Sequence, residues 1–274
     1  MSNLLLRFLT AVVAVPLLIA AIQWDRPLGV WLWVLAAQLT GLREWMMMTL
    51  PKESPLTRWL GVLCGTALGT ALIWSEDSQL LLTGLCGVTI VGLIYFLIKH
   101  GEIETVAQRL SLWLAGILYA GVLIVPLARF KMHTPPSGGG GWIYICLTSA
   151  WVSDTFAYFF GRFGSRFWPA KLWQEISPKK TRIGGVGGVI GSLVALSIAK
   201  LWYMPVLSWT DVVLIAIPAN ILGQLGDLVE SLIKRSVGVK DSGVLLPGHG
   251  GMLDRIDALI LVVPYVYAYS HYRF

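Results

Sequence analysis

Long apolar runs separated by short polar segments extend along almost the whole chain. Nine such runs can be drawn, and most approach the ~20 residues that a helix needs to cross a bilayer core of about 30 Å. Backbone amides in lipid need partners within their own segment, and no run shows the period of two that marks barrel strands. The pattern predicts an all-α, polytopic membrane protein with about nine transmembrane helices, within a range of eight to ten. The runs are Leu4–Ile22, Leu28–Met48, Trp59–Trp74, Leu80–Ile98, Leu110–Phe130, Trp142–Phe160, Gly184–Met204, Trp209–Gly226 and Ile256–Ser270.

The composition supports a membrane protein. Of the 274 residues, 56% are hydrophobic and 13% are charged, whereas a soluble domain is typically about 25% charged. The mean hydropathy is +0.70. Because the first run opens a long series of similar runs, we expect it to be a retained anchor rather than a cleaved signal peptide. The three cysteines lie in apolar runs without paired spacing, which argues against disulfides and against a zinc site.

The basic residues predict the orientation in the membrane. With nine spans, the side that holds the N-terminus carries most of the 21 Lys and Arg residues. The positive-inside rule places that side in the cytoplasm, and the expected location is the cell (inner) membrane. The basic residues on the opposite side are Arg26, Arg129, Lys131, Lys200 and Arg273.

Loop length and charge divide the chain into two regions. Residues 1–130 contain five runs with short connections, and we expect them to form a transmembrane scaffold or a lipid-facing groove. Residues 131–274 contain the two longest cytoplasmic loops, 161–183 and 227–255, together with the acids closest to the membrane. The C-terminal region is therefore expected to be catalytic.

Two groups of acids lie at the ends of the last two runs. Asp227 and Glu230 are three residues apart and Lys234 follows four later, so all three share a helix face. Asp254 and Asp257 are likewise three apart at the start of the last run. Mg²⁺ is commonly held by one or two carboxylates while waters and substrate phosphates supply the other ligands. Asp227 and Asp254 are therefore candidate ligands of one Mg²⁺, with Asp257 as a third ligand or an orienting group.

The segment around these acids is rich in residues that suit phosphate groups. Basic side chains neutralise a polyphosphate, and glycines let backbone amides approach an anion without a Cβ in the way. The residues of these two kinds are Lys234, Arg235, Lys240, Arg255, Gly248, Gly250 and Gly251.

Several of these residues also have a purely structural interpretation. Glu230 and Lys234 suit a simple surface ion pair, and Asp254 suits a cap of the last helix. His249 is a candidate turn residue, phosphate contact or general base. Asp241 is either a turn former or a residue that positions its neighbour Lys240.

The same stretch resembles the signature of the phosphatidate cytidylyltransferases, the CDP-diacylglycerol synthases. The resemblance also extends to "WVSDTFAYFFGRFG", which contains Asp154, and to "ISPKKT" at 176–181, so it covers most of the C-terminal half. In the N-terminal half it is limited to hydropathy and to the pair Glu44-Trp45. The signature itself reads Ser231-x-Ile233-Lys234-Arg235, then Lys240-Asp241-x-Gly243, then Leu246-Pro247-x-His249-Gly250-Gly251-Met252-x-Asp254-Arg255-Ile256-Asp257.

The resemblance implies transfer of CMP from CTP to phosphatidate, which gives CDP-diacylglycerol and pyrophosphate. It implies Mg²⁺ with a second cation such as K⁺ nearby, and the metal ligands Asp227, Asp254 and Asp257. The implied partners are CTP, phosphatidate and membrane lipids rather than nucleic acid, and homodimerisation stays open. The implied catalytic residues are Lys240, Asp241, His249 and Arg255, and the implied substrate-binding residues are Ser177, Lys179, Lys180, Thr181, Ser231, Lys234, Arg235, Gly250 and Gly251.

One departure from the family pattern keeps a second substrate open. The family usually continues after Ser-Pro-x-Lys-Thr with an aromatic residue, whereas this chain has Arg182 and Ile183. The alternative is a cytidylyltransferase or kinase that acts on a different membrane lipid phosphate or on a polyprenol. A transporter would need acids at mid-bilayer in interrupted helices, whereas most acids here lie at the ends of runs.

Two further features lie within the apolar runs. Asp154 is a carboxylate inside a predicted span, which makes it a functional candidate. The stretch "GGVGGVIG" at 184–191 is interpreted as close helix packing by small residues rather than as a phosphate-binding loop.

Overall fold

The structure, a computed structural model, describes residues 3–77, 79–133, 136–243 and 250–274. These ranges contain ten α-helices and one two-stranded antiparallel sheet. A π-helical segment, Ile117–Val122, joins the helices Ile103–Gly116 and Val125–His133 into one apolar stretch over Ile103–Met132. The elements are α1 (Asn3–Gln23), α2 (Leu28–Thr49), α3 (Pro55–Trp74), α4 (Leu80–Ile98), α5 (Ile103–Gly116), α6 (Val125–His133), α7 (Pro136–Gly164), β1 (Lys171–Trp173), β2 (Ser177–Thr181), α8 (Arg182–Trp202), α9 (Trp209–Ser236) and α10 (Leu253–Arg273).

The prediction of an all-α membrane protein is confirmed. Each of the nine apolar runs lies in a helical part of the chain. Within the described ranges, five stretches are long and apolar enough to cross a membrane by length and composition. The chain is therefore a polytopic membrane protein, and the total of nine spans stays a prediction. The five stretches are Pro55–Trp74, Leu80–Ile98, Ile103–Met132, Arg182–Trp202 and Trp209–Ser236.

The third helix is longer than its apolar run because it carries a good start signal. Ser54 precedes it, and its hydroxyl accepts a hydrogen bond from the backbone N–H of Thr57 at 3.2 Å. Pro55 occupies the first turn, where its missing N–H costs nothing. The predicted run Trp59–Trp74 is therefore part of a helix of 20 residues, which is long enough to span a membrane.

The prediction that residues 227–255 form a loop is wrong for the first part of this range, which is helical. The ninth helix passes Gly226 without a break and continues to Ser236. Two residues further on, Gly238 has a φ of 75°, the left-handed conformation that commonly follows the end of a helix. The acid at Asp227 and the basic residues after it are therefore held on a rigid helical turn.

The chain divides into two compact units, residues 1–132 with 241–255 and residues 133–240 with 256–274. In the first unit, α2 and α3 pack against the π-helical segment. Gln38 is fully buried on α2, and its Nε2 donates a hydrogen bond to the carbonyl of Gly121 at 2.6 Å. Because a π-helical turn displaces carbonyls from their helical partners and lipid offers none, this donor stabilises the segment.

In the second unit, glycines let α8 pack closely on α7 and α9. A Cβ added to Gly191 would lie 2.8 Å from Phe156, and one added to Gly188 would lie 2.8 Å from Asn220 Nδ2. Small residues are the usual means of close helix approach in membranes. The interpretation of "GGVGGVIG" as helix packing is confirmed, although Gly184 at its start also lines the cavity described below.

The segment between α7 and α8 contains a β-hairpin that the sequence analysis did not predict. Its strands pair antiparallel, with Lys171 opposite Thr181 and Trp173 opposite Ser177. Strands of three and five residues are too short to show a clear alternation of apolar and polar positions. The hairpin gives a defined shape to a stretch that was expected to be a loop.

A buried carboxylate joins the start of α9 to the end of α10. Asp211 Oδ2 accepts hydrogen bonds from the N–H and the hydroxyl of Ser208, both at 2.7 Å. Its Oδ1 accepts from the Tyr269 hydroxyl at 2.6 Å and from Arg273 Nε at 3.1 Å. The side chain of Asp211 is only 2% exposed, so these donors replace its hydration.

Asp211→Asn is expected to lower thermal stability without affecting the chemistry proposed below. An amide cannot accept from all four donors, and a lost hydrogen bond to a buried charge costs about 2 kcal/mol. A melting curve of the purified protein in detergent should fall by about 4–8 °C. The exposed Asp25 provides the control, because Asp25→Asn removes the same charge without burial. Equal melting temperatures for the two variants would contradict this role.

Candidate active site

A cavity of about 570 Å³ that contains several charged side chains lies in the second unit. Its volume is in the range typical of ligand sites, which is roughly 300–1,000 Å³. Four cationic side chains and two carboxylates line it, so its wall carries excess positive charge. The charged residues of the wall are Arg162, Lys171, Lys179, Lys180, Asp154 and Asp227.

An ion pair between Lys180 and Asp227 links β2 to α9 in this cavity. Lys180 Nζ lies 2.6 Å from Asp227 Oδ2, and the Ser231 hydroxyl donates to Asp227 Oδ1 at 3.3 Å. The Asp227 side chain is 36% exposed, so a ligand in the cavity can reach it. Asp154 and Asp257 also interact with Asp227 through their charges. The second unit thus gathers three of the acids that the sequence analysis singled out.

The hairpin and the start of α8 supply most of the basic wall. Of the four predicted substrate-binding residues in this stretch, Lys179, Lys180 and Thr181 line the cavity and Ser177 lies just before them on β2. Thr181 also caps α8, because its hydroxyl oxygen accepts a hydrogen bond from the backbone N–H of Gly184 at 3.1 Å. On the facing helix, Arg162 donates to the Tyr158 hydroxyl at 2.8 Å, which holds the guanidinium at the cavity.

The two residues that depart from the family pattern, Arg182 and Ile183, lie outside the wall of the cavity. The backbone N–H of Arg182 donates to the carbonyl of Ala170 at 2.9 Å, and the Arg182 side chain is exposed. Ile183 packs against Gly164, where an added Cβ would lie 2.9 Å from its Cδ1. Neither residue is among the described residues that line the cavity.

The interpretation of the ion pair at the end of α9 as a surface pair is wrong. Glu230 and Lys234 form the expected ion pair, with 2.7 Å between Oε2 and Nζ, but the pair is buried rather than on the surface. The Glu230 side chain is 1% exposed and that of Lys234 is 9% exposed. Glu230 thereby neutralises the charge of Lys234 inside the protein. Arg235 next to it is exposed, and its Nη1 donates to the carbonyl of Val239 at 3.0 Å.

In the first unit, the carboxylate of Asp254 accepts hydrogen bonds from residues of the segment that precedes α10. Its Oδ2 accepts hydrogen bonds from the N–H of Gly251 at 2.8 Å and from the N–H and hydroxyl of Ser242, both at 3.0 Å. Asp254 is the second residue of α10, so these hydrogen bonds tie the start of the helix to Gly251 and Ser242. This structural role is compatible with a metal-binding role, because a carboxylate has two oxygens.

Glu44 of α2 contacts the same loop. Its Oε1 accepts from the backbone N–H of Met252 at 2.9 Å, and its Oε2 accepts from the N–H of Leu253 at 2.9 Å. The Ser242 hydroxyl lies 3.1 Å from the same Oε2. In the sequence, only the pair Glu44-Trp45 had marked Glu44, because it lies far from the other acids. Nothing had marked Ser242, because it is not a titratable residue.

The remaining predicted site residues are placed as follows. Lys240, Asp241 and Arg255 are exposed. Gly250 has a φ of 81°, which only glycine adopts readily, and Gly251 is buried. His249 and Gly248 lie outside the described residues.

The acids of the site fit Mg²⁺ by their chemistry. Within the described ranges, no three His, Cys, Asp or Glu side chains are close enough together to hold a metal ion by themselves. Mg²⁺ does not require three, because it is usually bound by one or two carboxylates together with waters and substrate phosphates. Asp227 and Asp154 supply hard oxygen donors on the cavity wall. That Asp227 and Asp254 serve one ion stays a prediction.

Helices long and apolar enough to span a membrane, together with a basic cavity that contains carboxylates, are features expected of a membrane enzyme that acts on phosphate groups. The sequence matches the model of the cytidylyltransferase family over residues 5–273. The phosphatidate cytidylyltransferase of Brucella abortus biovar 1 is 33% identical over 280 residues, covering 98% of this chain and 94% of the relative. That of Staphylococcus epidermidis is 31% identical over 264 residues, covering 94% and 95%. That of Staphylococcus saprophyticus is 34% identical over 205 residues, covering 75% and 74%.

The chain belongs to the cytidylyltransferase family, and the resemblance noted in the sequence is confirmed. It is a nucleotidyltransferase and a membrane enzyme of phospholipid biosynthesis.

Proposed function

We propose that this enzyme transfers CMP from CTP to phosphatidate and so forms CDP-diacylglycerol and pyrophosphate. The observation that carries the proposal is the cavity in which Lys180 and Asp227 pair at 2.6 Å among further basic side chains. The relatives that match nearly the whole chain are phosphatidate cytidylyltransferases, which supports the same substrates.

The reaction needs charge neutralisation and alignment more than proton transfer. A phosphate oxygen of phosphatidate attacks the α-phosphorus of CTP and forms a new P–O bond. The bond from the α-phosphorus to the oxygen that bridges to the β-phosphate breaks, and pyrophosphate leaves with the electron pair. Because the attacking group is already an anion, no general base is required. The main barrier is the repulsion between two polyanions that must be held in line.

The residues of the cavity suit this task. Lys171, Lys179, Lys180 and Arg162 neutralise phosphate oxygens, and they sit on a hairpin and a helix end that fix their positions. A bound Mg²⁺ supplies further neutralisation of the phosphates, and we assign Asp227 and Asp254 as its ligands with Asp257 in support. Lys240, Arg255, Gly250 and Gly251, which belong to the signature loop at 240–255, are assigned to the phosphates. Asp241 is assigned to the positioning of Lys240, and a K⁺ ion nearby remains part of the proposal.

The active site is proposed to face the cytoplasm. CTP is soluble and phosphatidate is not, so the reacting atoms must meet at headgroup level on the side that holds CTP. The excess of Lys and Arg on the side of the long loops supports this orientation. Trypsin cleavage at the exposed Lys240 in inside-out vesicles, but not in right-side-out vesicles, tests it.

The proposed substrates predict a specific pattern of label transfer. Purified protein given CTP labelled at the α-phosphate should form a labelled lipid only when phosphatidate and Mg²⁺ are both present. Because the reaction leaves the α-phosphate on the lipid, CTP labelled at the γ-phosphate should release its label as pyrophosphate instead. Chelation of Mg²⁺ by EDTA should abolish both signals.

Parallel reactions distinguish the alternatives. Replacement of phosphatidate by a polyprenol or a polyprenyl phosphate, and of CTP by ATP, tests the other membrane acceptors and a kinase activity. Labelled lipid from a polyprenyl acceptor but not from phosphatidate would overturn the proposal in favour of that acceptor. Transfer of a γ-phosphate label to the lipid would indicate a kinase instead.

A further inference from the structure

Glu44 lies in the N-terminal region, which the sequence assigns to a scaffold, yet it is bound to the signature loop. The residue is 5% exposed, and both of its carboxylate oxygens accept hydrogen bonds from that loop. Two of the donors are the first free amides of α10, those of Met252 and Leu253. The partial positive charge at a helix N-terminus favours such an anion. Glu44 therefore fixes where α10 begins.

Close packing reinforces this contact. A Cβ added to Gly243 would lie 2.7 Å from Glu44 Oε1, and one added to Gly251 would lie 2.5 Å from Glu44 Oε2. One turn earlier on α2, a Cβ added to Gly41 would lie 3.2 Å from the side chain of the fully buried Leu253. Because residues 243 and 251 are glycines, the loop packs against α2 without a Cβ that would displace the Glu44 carboxylate.

Ser242 connects Glu44 to Asp254. Its hydroxyl lies 3.1 Å from Glu44 Oε2 and 3.0 Å from Asp254 Oδ2, and its backbone N–H donates to the same Asp254 oxygen. The hydroxyl has one proton to donate to either carboxylate, while the backbone N–H donates to Asp254, so Ser242 links the two acids. A shift of Ser242 would turn the Asp254 carboxylate.

We propose that Glu44 is a positioning residue for the reaction. It acts through Ser242 and through the first amides of α10 to hold the carboxylate of Asp254 in the orientation that the chemistry needs. The inference rests on the proposed function, in which Asp254 is a Mg²⁺ ligand. Groups that orient metal ligands commonly change metal affinity or turnover by about 10–100-fold when they are replaced.

Glu44→Gln tests the proposal, because the amide has the same shape but only one oxygen acceptor. Its NH₂ group would face backbone N–H donors, so at least one of them loses its acceptor. We expect kcat to fall about 10–100-fold and the Mg²⁺ concentration for half-maximal rate to rise. Hydrogen–deuterium exchange of the peptide that contains residues 250–254 should become faster, and this readout needs neither substrate nor metal.

Ser242→Ala tests the same hydrogen-bond network at the residue between Glu44 and Asp254. It removes the hydroxyl between the two carboxylates and keeps the backbone N–H. We expect a smaller change in the same direction, and the double variant should lose less activity than the product of the two separate losses, because both act on one network.

Glu53→Gln is the matched control. Glu53 is a half-buried acid of the first unit, 12% exposed and paired with Arg109 at 2.5 Å, and it forms no hydrogen bond to the described residues of the signature loop. It should lower the melting temperature without changing the Mg²⁺ requirement or the exchange of 250–254. Unchanged exchange in Glu44→Gln, or an unchanged Mg²⁺ requirement despite lower stability, would overturn the positioning role. A wild-type enzyme that makes no CDP-diacylglycerol would instead overturn the proposed function, and this inference with it.

Discussion

Asp227→Asn is expected to lower kcat for CMP transfer on the order of 10³-fold while the protein stays folded. The carboxylate has the Lys180 ammonium at 2.6 Å, and we assign it to the metal. Electrostatic stabilisation by a metal is worth several kcal/mol, and each 1.36 kcal/mol is tenfold in rate. Asparagine keeps the shape and removes the charge. Initial rates at saturating CTP and phosphatidate measure the effect.

The matched control is the same substitution at the other end of the same helix. Asp211→Asn should reduce thermal stability but leave kcat within about twofold, because the side chain of Asp211 hydrogen-bonds, among the described residues, to Ser208, Tyr269 and Arg273 only. Comparable losses of kcat in the two variants would mean that Asp227 acts through stability.

A third variant separates a direct role of Asp227 from an indirect one. If Asp227 serves only to orient Lys180, Lys180→Met should reproduce its full effect. If Asp227 binds the metal itself, Lys180→Met should chiefly raise the KM for CTP, since the lysine then contributes one of several positive charges in the cavity. The KM and kcat values of the two variants distinguish these roles.

The helices were predictable because each apolar run is long enough to impose one structure in lipid. Leu80–Ile98 was predicted at the bounds that the structure has. The extension of α9 beyond Gly226 was missed, since polar residues such as Asp227 and Ser231 end an apolar run without ending a helix. The hairpin was missed because its order depends on contacts with neighbouring helices rather than on its own short strands.

Residue types in the site were predictable, but their pairings were not. Spacing marked Asp227 as a candidate metal ligand, the family resemblance implied that the lysines of "ISPKKT" bind substrate, and the cavity does bring Asp227 and Lys180 together. Burial of the pair Glu230–Lys234 could not be read from spacing, because an i,i+4 pair has the same pattern on a surface and in a core. The contact from Glu44 to the loop spans about 200 residues of sequence, so only folding reveals it.

Asp254→Asn is expected to abolish CTP-dependent turnover, with a loss on the order of 10³-fold in kcat. The reason is the loss of a negative charge that we assign to Mg²⁺. The hydrogen bonds from Gly251 and Ser242 show that Asp254 also holds the start of α10 in place, so a drop in activity alone does not identify the role. Asparagine keeps an oxygen that can accept these hydrogen bonds and removes the charge, so the assay must be paired with a variant that also removes the acceptor.

Asp254→Ala is that variant, because alanine has no oxygen to accept from Gly251 and Ser242. If these hydrogen bonds were the whole role, Asp254→Asn would retain most of the turnover and only Asp254→Ala would lose it and melt at a lower temperature. If the charge is needed for the metal, both variants are inactive, while the melting curve and the amide exchange of residues 250–254 stay close to wild type in Asp254→Asn. Near-normal turnover in either variant would refute the metal assignment, since no neutral side chain replaces a carboxylate charge at a divalent ion without a large loss of affinity.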